Sequence, residues 1–136
     1  MSRARPETSS SRQRGERGSV SIEMVILLPV LFAVMFLGMQ AALFHHARTV
    51  AIAAAQEGAR AAGGENAQSS DGIRAASAFI NDAGGDDVLT GANATADRTA
   101  TTVTVTVSGH SLSVIPGWLP VITQSASLPV ERLTAP

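Results

Sequence analysis

The chain has 136 residues, enough for one small domain, and its net charge of −1 gives no global basic signal for nucleic acid. Hydrophobic residues make up 45% of it and charged residues only 15%, below the ~25% typical of soluble domains. It contains no cysteine, which excludes disulfides, thiolate catalysis and thiolate metal sites.

The first 18 residues are polar and basic. They contain five arginines and two glutamates, whereas the rest of the chain contains five arginines and nine acidic residues. This segment lacks an apolar period, which predicts a disordered basic leader over residues 1–18. Positive charge before an apolar segment predicts a cytoplasmic N-terminus and an extracytoplasmic C-terminal part in a cell membrane.

An uncharged apolar run follows the leader. Residues 24–44 contain no charged side chain in 21 positions, and Gln40 is the only strongly polar one among them. As an α-helix this run would be about 31 Å long, enough to cross a ~30 Å hydrocarbon layer. The sequence therefore predicts a membrane-spanning helix over residues 19–44. Pro29 is expected to kink or loosen it locally, which a membrane helix tolerates better than a soluble one.

The helix is predicted to continue beyond the membrane. His45, His46 and Arg48 mark the membrane edge, and helix-forming residues continue to Ala62 before a pair of glycines. This predicts one helix over residues 20–62, with residues 45–62 outside the membrane. Small residues at every fourth position would pack against the chain's own sheet or against neighbouring helices in an assembly. This small-residue stripe consists of Ala47, Ala51, Ala55, Ala59 and Gly63.

Residues 63–136 are predicted to form a small α+β extracytoplasmic part. A short second helix is capped by Ser70 or Asp71 and ends at the glycine pair 84–85. Residues 102–107 alternate strictly between threonine and valine, a strong signal for a strand with one apolar face. That apolar face is Val103, Val105 and Val107.

Further strands are predicted around this central one. Residues 88–95 form a weak candidate, joined to the central strand by a turn at Asp97-Arg98, and residues 111–115 and 121–130 are additional candidates. Pro129 predicts that the last strand lies at an edge or ends there. Trp118, between the last two candidates, either fills the core or docks at a membrane surface or partner.

These elements predict an α+β fold. It comprises a long N-terminal transmembrane helix that continues outside the membrane, a short second helix and a small antiparallel β-sheet. The sheet is expected to pack on the outer half of the long helix, because its own side chains are too small to build a core alone.

The junction of the leader and the apolar run carries the functional signal. Residues 18–23 read Gly-Ser-Val-Ser-Ile-Glu, so a basic stretch ends in glycine and a single glutamate precedes the apolar run. This pattern resembles the type III signal of type IV prepilins, in which a prepilin peptidase cuts after the glycine on the cytoplasmic face. The resemblance implies a cut between Gly18 and Ser19 that leaves Glu23 as the fifth residue.

The spacing has a physical rationale. A carboxylate buried at mid-membrane is unfavourable by roughly 2.5–3.5 kcal/mol. The new α-amine on Ser19 would be mostly charged at neutral pH. A neighbour's amine about 4 Å away would attract the Glu23 carboxylate by about 4 kcal/mol before desolvation at an effective dielectric of ~20. Glu23 is therefore a candidate for the residue that sets axial register between subunits; the alternative is an acid that favours the helix dipole.

A narrower resemblance covers more residues. The segment RGERGSVSIEMVILLPVLFAVMFLGMQ, with Pro29 six residues after Glu23, resembles the TadE-like pseudopilin family of tight-adherence (Tad/Flp) secretion systems. The resemblance implies a substrate of a prepilin peptidase that stays in the membrane until an assembly ATPase and an inner-membrane platform act on it. Met24 stands where Flp-type major pilins usually carry tyrosine, which favours a minor pseudopilin acting in pilus assembly.

The expected partners are membrane lipid, the prepilin peptidase, other pilins or pseudopilins and the assembly platform, with no nucleic acid or small-molecule substrate. No nucleophile–base pair or metal-ligand set stands out in the sequence, so no catalytic residue, metal or cofactor is expected. Two other classes of protein stay open. One is an uncleaved signal-anchored envelope protein with an outer binding module. The other is a secreted protein with an ordinary signal peptide, cut after Ala42 or Ala47.

Overall fold

The computed structural model describes Ala4 and residues 13–134, with the side chains of Ala4 and of residues 18–134. Contacts divide the chain into two units, an N-terminal unit Met1–Leu37 and a folded unit Gly38–Pro136. The described elements are helix α1 (Gln13–Ala62), helix α2 (Ser69–Asp82), a 3₁₀ helix (Gly85–Asp87) and strands β1 (Leu89–Arg98), β2 (Thr102–Ser111) and β3 (Val121–Pro129).

Helix α1 begins earlier than the sequence predicted and ends where it predicted. It starts at Gln13 instead of Val20 and ends at Ala62. Residues 13–18 of the predicted leader are therefore helical. Four of these six residues are glutamine, arginine or glutamate, which are good helix formers, and the other two are glycines. Residues 1–3 and 5–12 of the predicted disordered leader lie outside the described residues. Pro29 lies inside α1, where it removes one backbone N–H from the helix.

The C-terminus of α1 is closed by a long-range contact. The Arg98 guanidinium donates hydrogen bonds to the carbonyls of Ala62 (2.9 Å) and Gly64 (3.0 Å). The N–H of Glu131 donates to the carbonyl of Gly63 (2.9 Å). A cation at this position also complements the negative end of the helix dipole. Strand β1 and the segment after β3 thus both anchor the end of α1.

Helix α2 starts at Ser69, and its N-cap is Gln68 instead of Ser70 or Asp71, the predicted capping residues. Asp71 lies in the first turn, and its carboxylate accepts the backbone N–H of Gln68 at 2.7 Å. Asp71 was recognised in the sequence as a capping residue, but it is not itself the N-cap. Its carboxylate binds the backbone N–H of the N-cap residue three positions earlier. Gly84 and Gly85 follow the helix with φ values of +126° and +59°, which side-chain-bearing residues rarely adopt.

The sheet is a three-stranded antiparallel meander in the order β1-β2-β3. The valine face of β2 is fully buried, as the alternation predicted. On the other face, hydroxyl pairs join β2 to β3 at 2.7 Å: Thr104 with Ser127, and Thr106 with Ser125. Strand β3 is an edge strand that ends at Pro129, in agreement with the prediction.

Two predictions about the connections were wrong. Asp97 and Arg98 lie in β1, and the hairpin turn is formed by residues 99–101. The Thr99 hydroxyl stabilises this turn, because it accepts the N–H of Thr102 (3.0 Å), as small hydroxyl side chains do in turns. Residues 112–115 are not a strand; only Ser111 of that candidate belongs to β2.

The core joins residues 47–62 of α1 to α2 and the sheet. The alanines of the small-residue stripe are completely buried, and they form one cluster with the three β2 valines, Ile80 and Leu89. The stripe therefore packs within the chain, which decides between the two alternatives left open by the sequence. The fold class is as predicted, with the antiparallel sheet packed against the long helix.

Helices α1 and α2 approach each other closely at their backbones. A Cβ atom placed on Gly58 of α1 would lie 2.7 Å from the carbonyl oxygen of Gly72 in α2 and 2.9 Å from Val105 Cγ1. A Cβ atom on Gly72 would lie 2.8 Å from the carbonyl of Gly58. Real Cβ atoms essentially never approach so closely, so both positions require glycine for the two helices to pack against one valine of β2.

This close approach predicts that Gly58→Ala destabilises the folded unit. We expect the free energy of unfolding to fall by about 1–3 kcal/mol, the usual effect of overpacking a core. The matched control is Gly38→Ala in the same helix, where an added Cβ meets nothing within 4 Å. Thermal unfolding of the full chain in detergent, followed by circular dichroism, measures both variants. Equal unfolding temperatures would contradict the close approach.

Candidate functional site

The N-terminal part of α1 presents an uninterrupted apolar surface over about five helical turns. Helix α1 is long and apolar enough to cross a membrane, and none of its most apolar window is buried. Soluble monomers rarely expose apolar patches of more than a few hundred Å². The exposed large side chains of this surface are Val20, Ile22, Met24, Val25, Ile26, Leu27, Leu28, Val30, Leu31, Phe32, Val34, Met35, Phe36, Leu37 and Met39.

The three residues predicted from the prepilin pattern lie at the start of this surface. Gly18, Ser19 and Glu23 are all exposed, and the backbone of α1 is helical through the Gly18–Ser19 bond. Ser19 and Glu23 are four residues apart, so they share one face of the helix. Glu23 is the only charged residue between positions 18 and 44, and no hydrogen bond or ion pair links it to the described residues. Their roles in cleavage and register stay predictions.

Gln40 is the other polar side chain of the apolar run, and its environment is different. It is only 4% exposed and lies in the folded unit. Its Oε1 accepts hydrogen bonds from the Val114 N–H (2.9 Å) and the Ser113 hydroxyl (3.1 Å). Its Nε2 donates to the carbonyl of Leu112 at 3.3 Å. One amide side chain therefore holds three successive residues of the β2–β3 connection.

This contact explains why an amide is placed in an otherwise apolar run. A buried polar group without a partner is unfavourable, and one in hydrocarbon is especially so. Gln40 avoids that penalty by bonding to the backbone N–H of Val114 and the carbonyl of Leu112 in the connection. Gln40 is an exception in the uncharged run, but the sequence alone predicted no role for it. Its isolation among 20 apolar or small neighbours in the run was the available signal.

The connection held by Gln40 is itself apolar at its surface. Trp118 is 50% exposed, which excludes core filling, one of the two alternatives that the sequence left open. Leu119 and Val121 beside it are exposed by 61% and 66%. His45, His46 and Arg48 of α1 are also exposed. The described residues contain no group of three metal-ligating side chains.

Removal of the Gln40 amide should loosen the β2–β3 connection. We expect Gln40→Met to lower the free energy of unfolding by about 1–3 kcal/mol, because the N–H of Val114 loses its partner in a buried position. The control is Gln56→Met in the same helix, where the side chain is exposed and the same atoms are changed. Hydrogen exchange of the Val114 amide is the measurement. Exchange equally slow in both variants would show that Gln40 does not hold the connection.

The apolar part of α1 and most of its continuation match a known protein family. Residues 18–60 match the family model described as TadE-like protein, which confirms the resemblance seen in the sequence over about a third of the chain. The match starts at the predicted cleavage glycine, includes Glu23 and Gln40, and ends near the C-terminus of α1. No curated protein and no solved structure matches the chain.

Proposed function

We propose that this chain is a membrane-anchored minor pilin or pseudopilin of a Tad/Flp-type pilus or secretion system. A prepilin peptidase processes it between Gly18 and Ser19, and it then acts in pilus assembly. The observation that carries the proposal is the coincidence of the TadE-like match, which begins at Gly18, with an exposed apolar helix bearing the single carboxylate of Glu23. The role is structural and requires no catalysis, cofactor or metal.

The exposed apolar surface supports a membrane anchor. One N-terminal helix of this length and composition is consistent with a single membrane pass. The basic leader favours a cytoplasmic N-terminus, which puts the folded unit on the outer side of the membrane. Lipid, and later neighbouring helices of an assembly, would then cover the side chains of residues 20–39, which the described part of the chain leaves uncovered.

The structure disfavours a secreted protein with an ordinary signal peptide. The folded unit begins at Gly38, before either proposed signal-peptidase site. A cut after Ala42 would remove Gln40 and leave the Val114 N–H without its acceptor. A cut after Ala47 would also remove that fully buried alanine from the core. The helix segment that signal peptidase would discard thus contributes to folding.

Cleavage after Gly18 distinguishes the proposed pilin or pseudopilin from an uncleaved signal-anchored protein. When the full chain is co-expressed with a prepilin peptidase, we expect N-terminal sequencing and intact mass to give a product that starts at Ser19. Gly18→Ala should keep the leader, because the resemblance places the cut after this glycine. Gly15→Ala is the matched control and should be processed normally. An unprocessed wild-type chain would leave the signal-anchored protein, and a start at Leu43 or Arg48 would indicate a signal peptide.

The position of Glu23 supports a role in contacts between subunits. Its carboxylate is exposed on an apolar surface and has no partner among the described residues. A charge so placed is unfavourable in the hydrocarbon layer. A neighbouring subunit's N-terminal amine would compensate it, and the geometry of that pair would fix the axial offset between two helices. Incorporation therefore relieves an electrostatic penalty that the isolated subunit retains.

Glu23→Gln should consequently impair assembly without impairing processing. We expect the variant's amount in sheared pili to fall at least about tenfold, which corresponds to a net loss of about 1.4 kcal/mol. Cleavage at Ser19 and the level in the membrane should stay unchanged. The matched control is Glu65→Gln, the same change at an exposed site of the folded unit. If Glu23→Gln entered pili in the same amount as the wild type, the role of Glu23 would be limited to a favourable interaction with the helix dipole.

A further inference from the structure

The connection between β2 and β3 forms an exposed apolar loop, which we define as residues 112–121. Five of its large apolar side chains are exposed, and no charged residue occurs anywhere from position 111 to position 130. The five side chains are Leu112, Ile115, Trp118, Leu119 and Val121, with exposures of 37%, 37%, 50%, 61% and 66%. A soluble loop of this length normally carries polar side chains outward.

Two backbone N–H groups of the apolar loop, those of Ile115 and Trp118, are paired within the loop. Ile115, Pro116, Gly117 and Trp118 form a β-turn closed by the Trp118 N–H to the Ile115 carbonyl (3.3 Å), and Gly117 has the φ of +77° that a type II turn needs. The N–H of Ile115 bonds to the Ser113 hydroxyl (3.0 Å). Internal pairing of this kind is what an apolar environment demands of backbone groups.

Gln40 fixes the level of this loop along α1. Residues 38–44 belong both to the uncharged apolar run and to the folded unit, so the run extends into the unit that carries the loop. Gln40 binds the loop four residues before the end of the run, about 6 Å along the helix axis. The polar residues His45, His46 and Arg48 follow immediately. The base of the loop is thus held at the last turn of the apolar run.

We propose that the apolar loop enters the outer leaflet of the membrane and places Trp118 at the level of the lipid headgroups. The inference rests on the membrane anchor of the proposed function. Lipid is the favoured occupant because the loop is hydrogen-bonded to Gln40, which belongs to the same uncharged run as the anchor. Tryptophan is the residue enriched at this depth, since its ring is apolar and its indole N–H is polar. The folded unit then has two attachments to the membrane, the helix and the loop.

Trp118 is the only tryptophan of the chain, so its fluorescence reports on the loop alone. The full chain is reconstituted into vesicles of phosphatidylethanolamine and phosphatidylglycerol, some containing lipids brominated near the carbonyl end or near the methyl end of the acyl chain. We expect a marked loss of fluorescence with the shallow bromines, a smaller loss with the deep ones, and weak quenching by iodide present on both sides of the membrane.

A matched variant moves the reporter to the other end of the folded unit. Trp118→Phe combined with Asn66→Trp puts the single tryptophan at an exposed turn beyond Ala62, which lies about 33 Å along the helix axis from Gln40. Its fluorescence should be quenched by iodide and unaffected by either brominated lipid. Equal responses of the two tryptophans would overturn the proposal.

The remaining outcomes separate failure of the loop from failure of the anchor. Protein that floats with the vesicles and resists alkaline extraction, but whose Trp118 is quenched by iodide and not by bromine, would overturn the loop proposal and keep the anchor. Trp118 shielded from both quenchers would indicate that a second copy covers the loop, which also overturns it. Protein that fails to float would overturn the anchor and, with it, the premise of the inference.

Discussion

The folded unit depends on the close approach of helix α1 to α2 and the sheet. The valines of β2 are medium-sized, and the sheet has only three strands, so side chains alone could not fill a wide gap. Alanines on α1 and the facing glycines Gly58 and Gly72 bring the backbones close enough for valine to complete the core. Dispersion contacts need such proximity, because a gap of less than 1 Å already forfeits much of their energy.

The same helix meets two different environments along its length. Its first part presents large apolar side chains outward, and its last part presents alanines inward to the sheet. The change in side-chain size therefore marks the change along α1 from the proposed lipid contact to core packing. Residues 38–44 take part in both, which makes the end of the apolar run a structural part of the folded unit.

Regular patterns in the sequence were sufficient to predict the C-terminal end of α1, the central strand and their buried faces. The 21-residue uncharged run, the four-residue repeat of small side chains and the threonine–valine alternation each reflect one local periodicity. Contacts between distant residues were not predictable in this way. Arg98 has the local character of a turn residue, but its partners are carbonyls 36 and 34 positions earlier. Gln40 likewise binds residues more than 70 positions later. The proposed partner of Glu23 lies in another molecule, so no contact among the described residues bears on its role.

The two polar side chains of the apolar run differ in how their polarity is satisfied. The Gln40 amide finds its partners inside the folded unit, so the proposed transfer of the helix from lipid into a protein assembly would change none of its hydrogen bonds. The Glu23 carboxylate has no such partner among the described residues, and its energy depends on what surrounds the helix. A polar group that is satisfied internally stabilises the fold and is neutral toward assembly. A polar group that is left unsatisfied raises the free energy of the isolated subunit. Only a neighbour with a complementary charge then lowers it. Under the proposed function, the division between the two residues therefore separates folding from assembly on a single helix.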